Sequence, residues 1–153
     1  MTVREVRVDE ALWDAAGELR RLEWRTLIVD LLDGEPLVSP GGARMVLAIR
    51  GRALELAFHG ADERRVTCED RALFDVLDEY LAVIKRMTAD DLQPSQLEAL
   101  DMAKRVVHDR GACALAALAP DLGPHESLRR LFSLVVAVWV DTTALPAAHR
   151  HAR

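Results

Sequence analysis

The sequence predicts an α+β fold, a small antiparallel sheet packed against four main helices. Two observations carry that reading. The first is a hairpin: Met45, Leu47 and Ile49 alternate with Val46, Ala48 and Arg50, while Leu54, Leu56 and Phe58 alternate with Glu55, Ala57 and His59. With Gly51-Arg52 as a two-residue turn, Ile49 faces Leu54, Leu47 faces Leu56 and Met45 faces Phe58. Turn register and hydrophobic pattern therefore agree, and these apolar side chains fall on one face of the sheet. The second is helical periodicity over 19–33, 68–88, 95–110 and 124–140, which supplies the cover such a face needs.

The elements follow in order along the chain. Val6 and Val8 alternate with Glu5 and Arg7, a short strand signal. The helix over 19–33 is apolar nearly all round in its second half, as in a helix gripped on several sides. Gly34, Pro36, Pro40, Gly41 and Gly42 end it and open a loop. After the hairpin, Thr67 with Asp70 reads as a capping pair for a helix carrying Leu73, Val76, Leu77, Tyr80, Ile84 and Met87. Pro94 and a capping box from Ser95 to Glu98 open the next helix, and Gly111 is placed as its C-cap. An Ala-rich stretch ends at Pro120, and Gly123, Pro124 and Glu126 begin a last helix to about Val140. Residues 141–153 carry no apolar periodicity and read as a flexible tail. The chain thus divides into a single domain over 1–140 and that tail.

Composition narrows the function classes. With 153 residues, half of them hydrophobic, the chain is long enough for one domain with a real core. A net charge of -5 weakly disfavours nucleic acid and anionic membrane as partners. Arg44, Arg50, Arg52, Arg64 and Arg65 read as a solvated sheet edge, because acidic residues are interleaved and the aromatic context of an RNA-binding sheet is missing. Two cysteines, Cys68 and Cys113, without CxxC spacing suit a reducing compartment, so a cytoplasmic location is expected. The N-terminus lacks the apolar stretch of a signal peptide. The longest apolar run, Leu131 to Val140, is about half the ~20 residues of a membrane span, so no membrane role is expected.

The strongest constellation for chemistry is on the third main helix. Glu98, Asp101, Arg105 and His108 fall within an arc of about 80° at 100° per residue. That arrangement suits either an acid–base and anion site or an ordinary exposed stripe, in which Asp101 pairs with Arg105. Leu97, Leu100, Ala103 and Val107 lie away from it and are expected to face the core. Arg129 and Arg130, opening the last helix after Glu126, are candidate anion-binding residues. No metal site or cofactor is expected. His59, His108 and His125 are far apart with no HExxH spacing, and His149-Arg150-His151 lies in the tail. Cys113 reads as a small packing residue, and no GxSxG, Walker-type or GxGxxG motif is present. Among Trp13, Trp24 and Trp139, an exposed apolar patch around Trp24 would mark a protein partner or homodimer.

The run Leu97-Glu98-Ala99-Leu100-Asp101-Met102-Ala103-Lys104-Arg105-Val106-Val107-His108-Asp109-Arg110-Gly111 resembles the most distinctive block of an uncharacterised alphaproteobacterial protein family of the UPF series. Arg129-Arg130-Leu131-Phe132-Ser133-Leu134 is similar to a second block, and Val29-Asp30-Leu31-Leu32 to a looser third. Ala103 stands where that family often has Gly, Ala112-Cys113 replaces a more polar pair, and Ala137-Val138-Trp139-Val140 departs from its usual ending. The resemblance implies no assigned activity and hence no site residues to carry over. Three functions are therefore weighed from the residues. The first is a non-enzymatic interaction or regulatory protein. The second is a small-anion or nucleotide-type binder using Arg105, His108 and Arg129. The third is a hydrolase using Asp101 and His108.

Overall fold

The hairpin forms where the alternation places it. In the computed structural model, which describes residues 1–144, Arg44–Arg50 (β2) and Ala53–His59 (β3) pair antiparallel in the expected register. Gly51 sits at a φ of +59°, a positive value that a two-residue turn needs and a side chain would strain. Met45, Leu47, Ile49, Leu54, Leu56 and Phe58 are all buried. Each large side chain so buried contributes about 1.5–3 kcal/mol.

Two strands extend the hairpin. Glu5–Val8 (β1) joins β2 in parallel and Arg64–Cys68 (β4) joins β3 antiparallel, giving the order β1-β2-β3-β4. The sheet is therefore mixed, where alternation alone suggested an antiparallel one. A parallel neighbour needs a crossover, which Glu10–Ala15 (α1) and Glu18–Asp33 (α2) supply. At six residues α1 spans less than two turns, too short for a periodicity to register. Thr67 belongs to β4, so the helix Arg71–Arg86 (α3) starts after it, and the Asp70 Oδ1 accepts from the Ala72 N–H at 3.0 Å.

The next helix is longer than expected, Pro94–Leu118 (α4). Its capping box is Gln93 with Gln96, two residues earlier than the one expected from Ser95, and Pro94 opens the first turn. Gly111 lies in its interior and is not a C-cap. A Cβ there would meet the Phe132 ring at 2.3 Å, so the glycine lets α4 lie against the last helix, His125–Trp139 (α5). Beyond α5, Thr142–Ala144 form a 3₁₀ turn, and the Thr142 hydroxyl donates to the Glu23 carboxylate of α2. The remaining tail, with His149-Arg150-His151, lies outside the described residues.

Packing follows from which helices are apolar all round. α5 buries Leu128, Leu131, Phe132, Leu134, Val135, Val136 and Val138, and it contacts α2, α4 and β2. α2 lies against β1 and α5, and α4 packs on α3 and α5. α2 is held on one side only. Trp24, Leu27 and Leu31 are buried, and the Trp24 Nε1–H donates to the Ala137 carbonyl at 3.0 Å. Leu19, Leu22, Val29 and Leu32 are exposed, in contrast to a helix gripped on several sides. No helix among the described residues is long and apolar enough to cross a membrane.

Candidate functional site

The core-facing stripe of α4 is Lys104, Val107, His108, Gly111, Ala112 and Leu115, at spacings of 3, 1, 3, 1 and 3. This is a helical seam disguised by a lysine, a histidine and a glycine. His108 therefore lies on the buried stripe, only 4% exposed, whereas Glu98 and Arg105 of the same polar arc are exposed and Asp101 is half-buried. Glu98 is exposed, and Asp101 takes Arg105 as an i,i+4 surface pair at 3.2 Å. Leu97 is exposed and Leu100 and Ala103 are half-buried, so of the residues expected inward only Val107 is fully covered. Cys113, expected to pack, is also exposed. Such an exposed pair contributes little. Asp101→Ala should change stability by no more than about 0.5 kcal/mol in a urea titration.

His108 is held by α5. Arg129 Nη2 lies 3.3 Å from Nδ1, and Ser133 Oγ lies 3.0 Å from Nε2. A guanidinium only donates, so Nδ1 must accept and Nε2 must carry the proton. Nε2–H then donates to Ser133 Oγ, whose own hydroxyl donates to the Arg129 carbonyl at 3.3 Å. The direction is opposite to that of a histidine activating a serine, where the imidazole accepts the hydroxyl proton. The rings of Tyr80 and Phe132 lie 5.7 and 5.4 Å from the imidazole. Burial, then the neighbouring Arg129 charge, lower its pKa to about 4, which keeps it neutral.

Arg129 and Arg130 part company. The Arg129 Nε lies 3.1 Å from Asp109 Oδ1, the carboxylate that also takes His125 Nε2 at 3.2 Å. Arg130 turns to the other side of α5 and donates to the Asp30 carbonyl in the last turn of α2 at 2.7 Å. The two arginines thus tie α5 to α4 and to α2 and do not converge on one pocket. Among the described residues no three His, Cys, Asp or Glu side chains cluster as metal ligands would.

A concave surface among the described residues lies elsewhere, along the free edge of β1. A cavity of about 1140 Å³ is bounded by Val6 to Asp9, by Trp13 of α1, by Arg25, Ile28 and Val29 of α2, and by Arg44, Val46, His59 and Glu63. Several charged groups along it are paired. Glu5 accepts from Arg44 at 2.8 Å and from Arg7 at 2.7 Å, which holds its carboxyl below the usual range. His59 lies 3.2 Å from Glu63, and the Arg25 guanidinium sits 5.2 Å from the Trp13 ring centroid. Sequence reasoning did not assemble this surface, because its parts lie on five separate segments. Its one local signal was the alternation of β1.

A mixed four-stranded sheet with four substantial helices defines a small α+β protein. The family described as "Uncharacterised protein family (UPF0262)" matches residues 1–140, and the chain belongs to it. It is similar to the UPF0262 protein of Caulobacter vibrioides, with 28% identity over 89% of this chain and 91% of that protein. It is also similar to UPF0262 proteins of Hyphomonas neptunium (30%, 94% and 95%) and Cereibacter sphaeroides (29%, 74% and 82%). These relatives come from alphaproteobacteria, as the resemblance of the Leu97–Gly111 block implies. No solved structure matches the chain at a significant level.

Proposed function

We propose that this chain is a non-enzymatic interaction protein, working in the cytoplasm, whose binding face is the β1 edge together with the outer side of α2. The observation that carries the reading is the coincidence of an open strand edge with exposed Leu22, Val29 and Leu32 on the adjoining helix. Two features of the rest of the molecule support it. The His108, Ser133 and Arg129 network is spent on joining α4 to α5, with a proton order unsuited to nucleophile activation. Arg129, the best-placed candidate for an anion, already faces Asp109. A protein is favoured over nucleic acid as the partner. Arg7, Arg44, Arg50 and Arg65 on the open sheet face pair with Glu5, Glu5, Asp9 and Glu55, leaving little net positive field for phosphates.

The test is site-specific photo-crosslinking in cells. A benzophenone side chain at Val29 should give adducts, and one at Gln96 on the exposed start of α4 should give none. Adducts from position 96 alone would move the function to the α4 stripe and overturn this reading.

A further inference from the structure

We infer that the partner seated on this face is a second copy of the chain, paired antiparallel through β1 about a twofold axis at Val6. The inference rests on the reading of the β1–α2 face as the interaction surface. β1 is an edge strand, with β2 on one side only. The Glu5 N–H donates to the Ala43 carbonyl and the Asp9 N–H to the Leu47 carbonyl, so alternate residues turn their peptide groups toward β2. By the same alternation Val6 and Val8 turn theirs to the open side. Those groups are the donors and acceptors that another strand would satisfy.

Charge selects both the occupant and the register. Of the three antiparallel registers that oppose Val6 or Val8 directly, Val8 against Val8 would need Glu10, the first residue of α1, to continue the strand opposite Val6, which leaves two. In one, Val6 opposes Val8 of the second copy, which sets Arg7 against Arg7 and Glu5 against Asp9. Like charges directly opposite are unfavourable. In the other, Val6 opposes Val6, and Glu5 of each copy faces Arg7 of the other across a closely spaced, non-hydrogen-bonded pair. Glu5 and Arg7 both lie on the open sheet face, already within 2.6 Å of each other on one strand. Of these two registers, only the second is self-complementary in charge. The same axis sets α2 beside α2 of the second copy, in antiparallel orientation. Val29, Leu22 and Leu32, which share one side of that helix, then lose their water. Four residues of strand make a small contact by themselves, and these apolar side chains supply the remaining area.

The experiment is native mass spectrometry and light scattering of the full chain, with circular dichroism melting as the check on folding. The wild type should have twice the 17.0 kDa chain mass. Arg7→Glu alone sets Glu against Glu, and Glu5→Arg alone sets Arg against Arg, so each should weaken association about tenfold or more. Mixed, the two variants become complementary at both positions and should form a heterodimer that neither forms with itself. Val29→Glu, on an exposed position, should weaken association without touching β1. A wild-type monomer at about 100 μM overturns the inference. So does a dimer indifferent to the charge reversals, or a mixture that shows no preference for the heterodimer. A monomer that still crosslinks from position 29 to a different protein removes the second copy and leaves the interaction reading standing. The absence of any adduct at 29 removes both.

Discussion

As the pH falls from 6.5 to about 4, the fold should lose about 3 kcal/mol through His108 alone. The sign follows from the two states. In the folded chain the imidazole is buried, flanked by Arg129, and resists protonation until about pH 4. In the unfolded chain it takes a proton near its ordinary value of about 6.5. Between those values the unfolded state binds more protons, so stability is full above pH 6.5 and declines as the pH falls. Urea titrations of the wild type and His108→Gln across this range should show the difference between them shrinking toward low pH. Glutamine keeps a donor toward Ser133 but has nothing to titrate. Parallel pH profiles for the two proteins would mean that the imidazole is not held neutral in the interior.

Gly111→Val should cost about 3 kcal/mol, the upper range for overpacking a filled core. The added Cβ would lie 2.3 Å from two carbons of the Phe132 ring, which is itself fully buried and packed edge-on against Tyr80 at 5.6 Å. The ring has nowhere to move without displacing Tyr80 or His108. Gly111→Ala separates this account from a helix-end role. Inside an uncrowded helix alanine gains about 1 kcal/mol over glycine, whereas here the contact should outweigh that gain. Combined with Phe132→Leu, the alanine variant should recover part of its loss, with a coupling of about 1 kcal/mol by double-mutant cycle. Independent effects at the two positions would sink the close-packing explanation.

Much of the architecture was legible because local pattern and tertiary demand coincide. The hairpin is the clearest example, since the pairing of Met45 with Phe58 follows from both the turn and the alternation. The α+β class and the helical character of 71–86 and 125–139 follow from runs whose apolar residues are also the buried ones. The family resemblance of the Leu97–Gly111 block was likewise legible, because it rests on residue order alone.

The candidate site was less legible, and α4 shows why. Its polar arc was sound as helix geometry, but periodicity shows which residues share a face without showing which face is covered. Lys104 and His108 are buried and Met102 and Val106 exposed, because α3 and α5 meet the helix from one side. Glycine suits both helix ends and close helix crossings, and at Gly111 only the presence of Phe132 distinguishes the two. α2 shows the reverse: the all-round apolarity of its second half predicts a helix gripped on several sides, yet Val29 and Leu32 are exposed because one side of the helix remains open. By itself, then, the sequence determined the class of fold, the hairpin register and the family, each of which depends on contacts between near neighbours or on residue order. Only the tertiary structure decided that His108 is a neutral interior link and that β1 is a free edge beside an exposed helix. Both depend on which distant segments arrive to cover a surface, and solvent exclusion by distant segments leaves no local periodicity to read.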